Sequence, residues 1–451
     1  MVGGVVGDRT ALAIDVRALT VHLMANQLEW RVRAVESVVL DAASTCLRPR
    51  SLQIAPMRAL LAPHLPRVEK AGPWTHAVVG LPIAPFPRGP LLDFDIDGPS
   101  GPASLIPRAE TATREALYLE GLATQLGVTV TESVRALLVE VLGWADAETD
   151  HADLFDDPVL DSVGPAARRE WLRVSADCGR MLGPYVAALG ETAVTNPAVA
   201  MSALARMGFW QSESEGSAML AGYRDLVRVA TQTAFGRDDR APIAGEFLAA
   251  LGDYADTYDL MAAVRIPLDE PFVVKCSERR DLRLDSRRNT GHQDLVIADA
   301  RSNHVTVTVR DPNVRISRAD AFRAGDSELA VGTSVTRRND QFVAFYSHDP
   351  NRDYRVRVDL RLALLRRLEL VPFFAAGSVV LLSLALMATP DLDLRTLALL
   401  GGPAALAASV LVGREQSTLG SRLRVRSTVV LCVALAVLTV TVVYLYSFRI
   451  A

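Results

Sequence analysis

Cysteine is scarce in this chain of 451 residues, with four at positions 46, 178, 276 and 432. They lie far apart, which excludes a disulfide framework and the paired spacing of a zinc site. Lysine is rarer still, with two residues against 46 arginines, a bias typical of a high-GC bacterial genome. The net charge of −4 argues against nonspecific nucleic-acid binding, so we expect no nucleic-acid partner.

Catalytic signatures are missing as well. The chain has no GxSxG, no Walker A loop, no GxGxxG that opens a helix and no HExxH. Lys275 beside Cys276 suggests an activated thiol, but the alternation in FVVKC predicts an ordinary strand residue. The sequence therefore leans away from an enzyme and predicts no cofactor.

Three long apolar runs lie near the end of the chain, at 370–388, 396–412 and 428–446. They contain no Asp, Glu, Lys, Arg or His, and each is roughly long enough to cross a ~30 Å hydrocarbon core. We therefore predict three transmembrane helices, although Gly401, Gly402 and Pro403 interrupt the second run. The alternative is that the runs are buried helices of a soluble protein.

Arginines around these runs predict an orientation in the membrane. One side would carry seven of them: Arg361, Arg366, Arg367, Arg414, Arg422, Arg424 and Arg426. The other side would carry Arg395 and Arg449. Since basic residues favour the cytoplasm, we expect a multi-pass plasma-membrane protein with a cytoplasmic body and an external C-terminus. The first residues show no signal-peptide pattern, which agrees with this orientation.

The rest of the chain divides by hydrophobic period. A β-rich block at 1–107 precedes a helical domain at 108–262, where apolar residues recur every three or four positions. A β-sandwich-like block follows at 263–367, and the transmembrane helices fill 368–451. The predicted fold class is α+β, with antiparallel β-sandwich-like blocks that flank a helical domain, plus a three-helix transmembrane anchor. The β blocks form either two sandwiches or, as we favour, one sheet system with a helical insertion.

Charged clusters give the candidate binding residues. The set expected to face lipid or another anion is Arg355, Arg357, Arg361, Arg366 and Arg367. A second cluster, for an anion or a protein partner, is Arg279, Arg280, Arg283, Arg287 and Arg288. We predict no metal site, and the weak candidates in the acidic stretch 146–161 are His151, Asp153, Asp156 and Asp157.

Three strings carry a family resemblance: PLLDFDIDGPSG at 90–101, AFYSHDPNRDYRVRVDLRL at 344–362 and GREQSTLGSRL at 413–423. They resemble uncharacterised membrane-anchored proteins of high-GC bacteria, in which two β blocks flank a helical region. The resemblance implies this architecture and lends no activity, cofactor or catalytic residue.

The functional hypothesis is a membrane-anchored cytoplasmic interaction, sensory or scaffold protein of unknown ligand. Its partners would be another protein and a lipid bilayer with an anionic inner leaflet. The alternative is a membrane-bound enzyme with a pocket between the helical and β blocks. The pocket would use carboxylates such as Asp153, Asp156 or Asp157, and one version of this hypothesis makes the enzyme metal-dependent.

Overall fold

A computed structural model gives the fold. It describes residues 16–42, 44–64, 75–87, 91–143, 165–188, 200–207, 213–237, 239–281, 283–285, 290–295, 300–323, 333–348, 356–364, 366–388, 419–423 and 425–445. Helices and strands alternate in blocks along the chain, and six of the described helices lie between residues 108 and 256.

The helices are α1 (Val16–Ala25), α2 (Gln27–Trp30), α3 (Arg58–Leu61), α4 (Arg108–Gln125), α5 (Glu132–Gly143), α6 (Pro165–Ala188), α7 (Met201–Arg206), α8 (Glu213–Ala234), α9 (Ala241–Asp256), α10 (Arg366–Ala388), α11 (Leu419–Leu423) and α12 (Val425–Leu445). The strands are β1 (Arg31–Leu40), β2 (Thr45–Ile54), β3 (His76–Pro87), β4 (Leu92–Gly98), β5 (Gly101–Pro102), β6 (Ser104–Leu105), β7 (Thr257–Pro267), β8 (Phe272–Asp281), β9 (Arg283–Asp285), β10 (Thr290–Leu295), β11 (Ser302–Val309), β12 (Val314–Arg323), β13 (Thr333–Asn339), β14 (Phe342–His348) and β15 (Val356–Leu364).

One eight-stranded sheet unites strands from both sides of the helical segment, in the order β13-β14-β11-β1-β2-β8-β4-β5. Strand β1 lies at its centre, parallel to β11 and antiparallel to β2. The prediction of purely antiparallel blocks is therefore wrong, and the sheet is mixed. The physical reason is that side chains alternate with a period of two in both kinds of pairing, so the alternation does not report strand direction.

Two smaller sheets cover the large one. The four-stranded sheet β12-β15-β10-β9 encloses an apolar core with β1, β11 and β14, which includes Val38, Val307 and Phe345. The three-stranded sheet β3-β7-β6 and helix α1 enclose a second core with β2 and β8, which includes Leu52 and Ile266. The large sheet thus carries two apolar cores side by side.

The helical domain has a core of its own, built by α4 to α9. Its largest fully buried side chains are Trp171, Tyr223 and Phe247, one each from α6, α8 and α9. Burying such aromatic side chains is among the larger favourable terms in a domain of this size. Met261 of β7 joins this core, so the helical domain packs directly on the three-stranded sheet.

The predicted three-helix transmembrane anchor is wrong. In the part of the chain that the structure describes, no helix combines the length and the apolar character needed to cross a bilayer. The first and third predicted runs correspond to α10 and α12, which pack against each other, and the second run at 396–412 lies outside the described residues. A helix that is apolar all round indicates burial without saying in what, so hydropathy alone did not decide the matter. The predicted plasma-membrane location, with a cytoplasmic body and an external C-terminus, rested on the anchor and is wrong with it.

Close packing between α5 and α8 gives a test of the helical core. A Cβ atom added to Gly222 of α8 would lie 2.6 Å from Cγ2 of Val134, a short and buried side chain of α5. We expect Gly222→Ala to lower the free energy of unfolding by about 1–3 kcal/mol through overpacking. Urea unfolding followed by circular dichroism measures this change.

Gly179 of α6 supplies the matched control, because an added Cβ there meets no atom within 4 Å. We expect Gly179→Ala to be neutral or to stabilise the protein by up to ~1 kcal/mol, from helix propensity alone. Equal effects of the two substitutions would contradict the close approach of α5 and α8.

Candidate functional site

The first predicted arginine set is only partly described. Arg361 lies exposed on β15, Arg357 lies on the same strand, and Arg366 and Arg367 begin α10. Arg355 lies outside the described residues. The structure therefore does not test whether these arginines share one anionic ligand, and the set stays a prediction.

The second predicted arginine cluster is divided by the alternation of β8. The guanidinium of Arg279 points outward and pairs with Asp41 at 3.0 Å and Asp93 at 3.1 Å. The guanidinium of Arg280 points inward, where its side chain is 17% exposed. Arg283 lies in β9, and two members fall outside the described residues: Arg287 and Arg288.

The weak metal candidates also fall outside the described residues: His151, Asp153, Asp156 and Asp157. Among the residues that the structure does describe, no group of three or more His, Cys, Asp or Glu side chains is placed to hold a metal ion.

Arg280 belongs to a buried charge cluster that the sequence analysis missed. The cluster consists of five side chains on three adjacent strands: Glu36 of β1, Arg48 and Arg50 of β2, and Glu278 and Arg280 of β8. The strand register places Glu36 opposite Arg50, and Arg48 opposite Glu278. Because alternate residues of a strand share a face, all five side chains meet on the inner face of the large sheet, between its two apolar cores.

Contacts within the buried charge cluster are close. The Nε of Arg48 donates a hydrogen bond of 2.7 Å to Oε1 of Glu36, and its Nη2 contacts the same oxygen. The Nη1 atom of Arg50 lies 3.5 Å from Oε2 of Glu36. Arg280 pairs with Glu278, donates to the carbonyl of Pro85 at 3.3 Å and stacks over the ring of Phe86 at 4.8 Å.

The two carboxylates of the cluster differ in protonation behaviour. Burial alone would raise the pKa of Glu36, but the charges of Arg48 and Arg50 outweigh it and lower that pKa below its ordinary value. Burial raises the pKa of Glu278, and the charges of Arg280 and Arg48 only partly oppose it. Burial and then the charge of Arg48 lower the pKa of Arg280 to about 10. Glu36 is therefore the fixed negative centre, and Glu278 is the more basic carboxylate.

Two thiols border the cluster and are chemically quiet. Cys276 lies opposite Arg50 in the strand register, and Cys46 lies opposite Arg280. Burial raises the pKa of each thiol to about 11, despite the nearby arginines. A raised pKa leaves almost no thiolate near neutral pH, so neither cysteine is poised as a nucleophile.

A row of aromatic and charged side chains connects the cluster with the helical domain. The ring of Phe86, under Arg280, lies 6.4 Å from the ring of Tyr258. The guanidinium of Arg108, at the start of α4, stacks over Tyr258 at 4.0 Å. Cation–π contacts in buried surroundings each stabilise by about 1–2 kcal/mol. This row therefore couples the position of α4 to that of β8.

The space between the helical and β blocks is occupied by paired polar groups. A carboxylate oxygen of Glu115, fully buried on α4, accepts a hydrogen bond of 2.7 Å from the backbone N–H of Asp259. The hydroxyl of Tyr254 donates to the Asp259 carboxylate at 2.8 Å. Such pairing fits a structural contact between α4, α9 and β7. The alternative of an enzyme with a pocket at this place stays a prediction, because the carboxylates named for it, Asp153, Asp156 and Asp157, lie outside the described residues.

A shallow groove of about 470 Å³ lies between α1 and α4 and brings His22 and His64 together, with ring centroids 5.6 Å apart. Sequence spacing gave no sign of this pair. Glu120 also lines the groove, but its two oxygens accept hydrogen bonds of 2.6 Å from Arg135. The two imidazoles alone are too few ligands for a metal site, because the Glu120 carboxylate is already hydrogen-bonded to Arg135.

The most exposed apolar surface of the described chain lies on the helix pair α10–α12. The two helices pack through small and aliphatic residues spaced three, four and three positions apart: Ala376, Val379, Ser383 and Leu386 on α10, and Leu431, Ala434, Leu438 and Thr441 on α12. Large apolar side chains cover the outer faces of the pair: Phe373, Phe374, Val380, Leu381, Leu384 and Met387 on α10, and Val429, Val430, Val433, Val437, Val440, Val443 and Tyr444 on α12. A patch of this extent marks an interaction site.

The sequence did hold a signal for the buried charge cluster. Cys46, Arg48 and Arg50 alternate along β2, and Cys276, Glu278 and Arg280 alternate along β8. In each strand the charged residues lie two and four positions from a cysteine, and therefore on the same face of the strand as the cysteine. Cysteine is a residue type that is usually buried. No signal in the sequence indicates that β2 and β8, more than 200 residues apart, are neighbours.

The chain matches no protein-family model, and no curated protein or solved structure is significantly similar to it. The resemblance to membrane-anchored bacterial proteins stays a prediction.

The Glu36–Arg48 contact gives a test of the cluster. We expect Glu36→Gln to lower the free energy of unfolding by about 3–5 kcal/mol near pH 7, because it leaves buried guanidinium groups without their carboxylate. Since the folded-state pKa of Glu36 is lowered, its contribution is complete above the ordinary value of 4.5 and is lost as pH falls through the folded-state pKa. Urea unfolding of both proteins between about pH 7 and about pH 3 measures the difference.

Glu110→Gln is the control for that experiment. Glu110 pairs with Arg114 one helical turn away at 2.6 Å, but its side chain is 52% exposed. We expect this change to alter stability by less than about 1 kcal/mol, because exposed ion pairs are weak. Similar losses in both variants, or a loss for Glu36→Gln that is as large at the acid end as near neutral pH, would contradict the account of the buried pair.

Proposed function

We propose that this protein is an interaction and scaffold protein that assembles through the outer faces of the helix pair α10–α12, and that the partner is a second copy of the same chain. The observation that carries the proposal is the exposure of large apolar side chains on both helices. Phe374, Leu381 and Val440 are each about 70% exposed, at 71%, 68% and 68%. Leaving such a surface in water is unfavourable, so its burial would drive association.

The exposed residues follow the same spacing as the buried contact between the helices. Phe374, Gly377, Leu381 and Leu384 are separated by three, four and three positions on α10. Val430, Val433, Val437, Val440 and Tyr444 continue the pattern on α12. A repeat of 3.5 residues is the pattern through which helices pack against other helices. The outer faces are therefore suited to receive further helices.

The chemistry of the outer faces supports a second copy as the partner. In helical bundles, charged side chains at the interface determine which other helix is chosen as the partner. The segments 373–388 and 427–445 contain no Asp, Glu, Lys or Arg. A surface without charges needs a partner surface that is equally apolar and equally long. The helix pair of another copy meets both requirements, and association of two pairs gives a four-helix arrangement.

The size of the surface is sufficient for a stable dimer. A helix of 21 to 23 residues extends about 30 Å, and two adjacent helices present a strip about 20 Å wide. The strip therefore covers roughly 600 Å² on each copy, or about 1,200 Å² in total. This total reaches the lower end of the range for specific protein–protein interfaces.

Charge substitutions on the outer faces test the proposal. The full chain is studied by size-exclusion chromatography with light scattering over a range of protein concentrations. We expect wild type to give the mass of two copies. Leu381→Glu and Val440→Glu should each weaken association at least about tenfold, because each places a carboxylate in an apolar interface. Phe235→Glu is the matched control, since Phe235 is 65% exposed outside the helix pair and its change should leave the mass unaltered.

Cys432 offers a second readout. It lies exposed on α12, whereas Cys46, Cys178 and Cys276 are buried. A short bismaleimide should therefore link two wild-type chains, and Cys432→Ser should abolish the link. A single-copy mass at every concentration, or association unchanged by both charge substitutions, would refute the proposal. Binding of the protein to lipid vesicles in place of self-association would also refute it.

A further inference from the structure

A short helix attaches the helix pair α10–α12 to the sheets, which together form the β body of the protein. Helix α11 has five residues, and one residue separates its end from the start of α12. Its side chains Leu419 and Leu423 are 0% and 5% exposed, and both lie in the apolar core beneath the four-stranded sheet. Because these leucines lie in that core, α11 joins the beginning of α12 to the β body.

The other helix of the pair begins at the same place. Strand β15 ends at Leu364, and α10 begins at Arg366. Leu364 is 5% exposed, belongs to the same core as the leucines of α11, and lies on a strand that α11 contacts. Helices α10 and α12 therefore both start at one corner of the β body, and they pack against each other along their length.

A carboxylate from the turn between β11 and β12 holds α11 in this corner. Oδ2 of Asp311 accepts a hydrogen bond of 2.7 Å from the backbone N–H of Gly420. Oδ1 of Asp311 accepts a second bond, of 2.9 Å, from the N–H of Asn313. The side-chain amide of Gln341 donates to the carbonyl oxygens of Asp311 and Val314, at 2.9 and 3.2 Å. These bonds fix the turn, and with it the direction of the carboxylate.

Gly420 allows the close approach of the two segments. A Cβ atom added there would lie 2.9 Å from Oδ2 of Asp311 and 3.6 Å from Cγ2 of Val314. Glycine is the residue that permits such proximity between a backbone and its neighbour. The carboxylate of Asp311 and the glycine of α11 are therefore fitted to each other.

We propose that Asp311 is a positioning residue, which fixes the direction in which the helix pair leaves the β body. Burial of Leu419 and Leu423 attaches α11 but does not orient it, because apolar contact is non-directional. A hydrogen bond to Gly420 is directional and supplies the orientation. The inference rests on the proposed function in one respect: when two copies associate through α10–α12, a fixed direction gives their β bodies one defined arrangement.

A distance between α12 and the β body tests the proposal. Cys432 is exposed on α12, Cys46, Cys178 and Cys276 are buried, and Gln53 is exposed on β2. In a Gln53→Cys chain, nitroxide labels on positions 53 and 432 report this distance by pulsed electron paramagnetic resonance. An excess of unlabelled Cys432→Ser chain restricts the signal to distances within one copy. We expect one narrow distribution, which Asp311→Ala widens about twofold because the directional contact is lost.

Two variants control for a general loss of structure. Asp311→Asn keeps an oxygen that accepts the bond from Gly420, so its distribution should stay narrow. Asp320→Ala removes a carboxylate of β12 that pairs with Arg318, whose side chain is 71% exposed, and should also leave the distribution narrow. If Asp311→Ala fails to fold, Gly420→Ala gives an independent answer, because its Cβ atom displaces the Asp311 carboxylate and should widen the distribution.

Two results would overturn the positioning role. One is a distribution that stays as narrow in Asp311→Ala and Gly420→Ala as in the parent chain. The other is equal widening in Asp311→Ala and in either control. Light scattering of Asp311→Ala should still give the mass of two copies, since the outer faces of α10 and α12 are unchanged. A single-copy mass for wild type would refute the proposed association, whereas the distance within one copy would still test Asp311.

Discussion

The contact between Glu36 and Arg48 is the interaction on which the β architecture depends. It joins the central strand β1 to β2 in a buried position, between the two apolar cores of the large sheet. Apolar packing alone tolerates alternative registers, since one aliphatic side chain replaces another with little loss. A buried ion pair does not, because a slip of one residue would move a charge away from its partner and onto the opposite face. The pair therefore defines how β1 aligns with β2, and Glu278 of β8 extends the same arrangement to a third strand.

From this cluster, ordered contacts continue to the helical domain. Arg280 lies on Phe86, Phe86 is close to Tyr258, and Arg108 covers Tyr258 from the side of α4. The hydrogen bond between Glu115 and the backbone of Asp259 then fixes α4 against β7. An unbroken series of side-chain contacts thus connects the buried charge cluster with the helical domain.

The helix pair α10–α12 differs from the rest of the protein in how it is stabilised. Elsewhere, the described helices bury one face and present polar residues on the other, as α8 and α9 do in the helical core. Helices α10 and α12 carry no Asp, Glu, Lys or Arg over 373–388 and 427–445, and they bury one narrow strip against each other. The exposed apolar outer faces of these two helices are the basis of the proposed association.

The sequence by itself determined the local structure. Alternation in FVVKC at 272–276 predicted a strand, and apolar residues at every third or fourth position in 108–262 predicted helices, because these periods follow directly from backbone geometry. It also located the apolar runs that became α10 and α12, but it assigned them to a membrane, since hydropathy measures how apolar a helix is and leaves open what buries it. Tertiary structure alone decided that β1 pairs in parallel with β11 and that both β blocks share one sheet. It also decided that Arg280 faces inward, whereas Arg279 faces outward and pairs with Asp41 and Asp93. These features depend on pairing between strands far apart in the chain, and such pairing is set by the packing of the whole molecule, which no local pattern records.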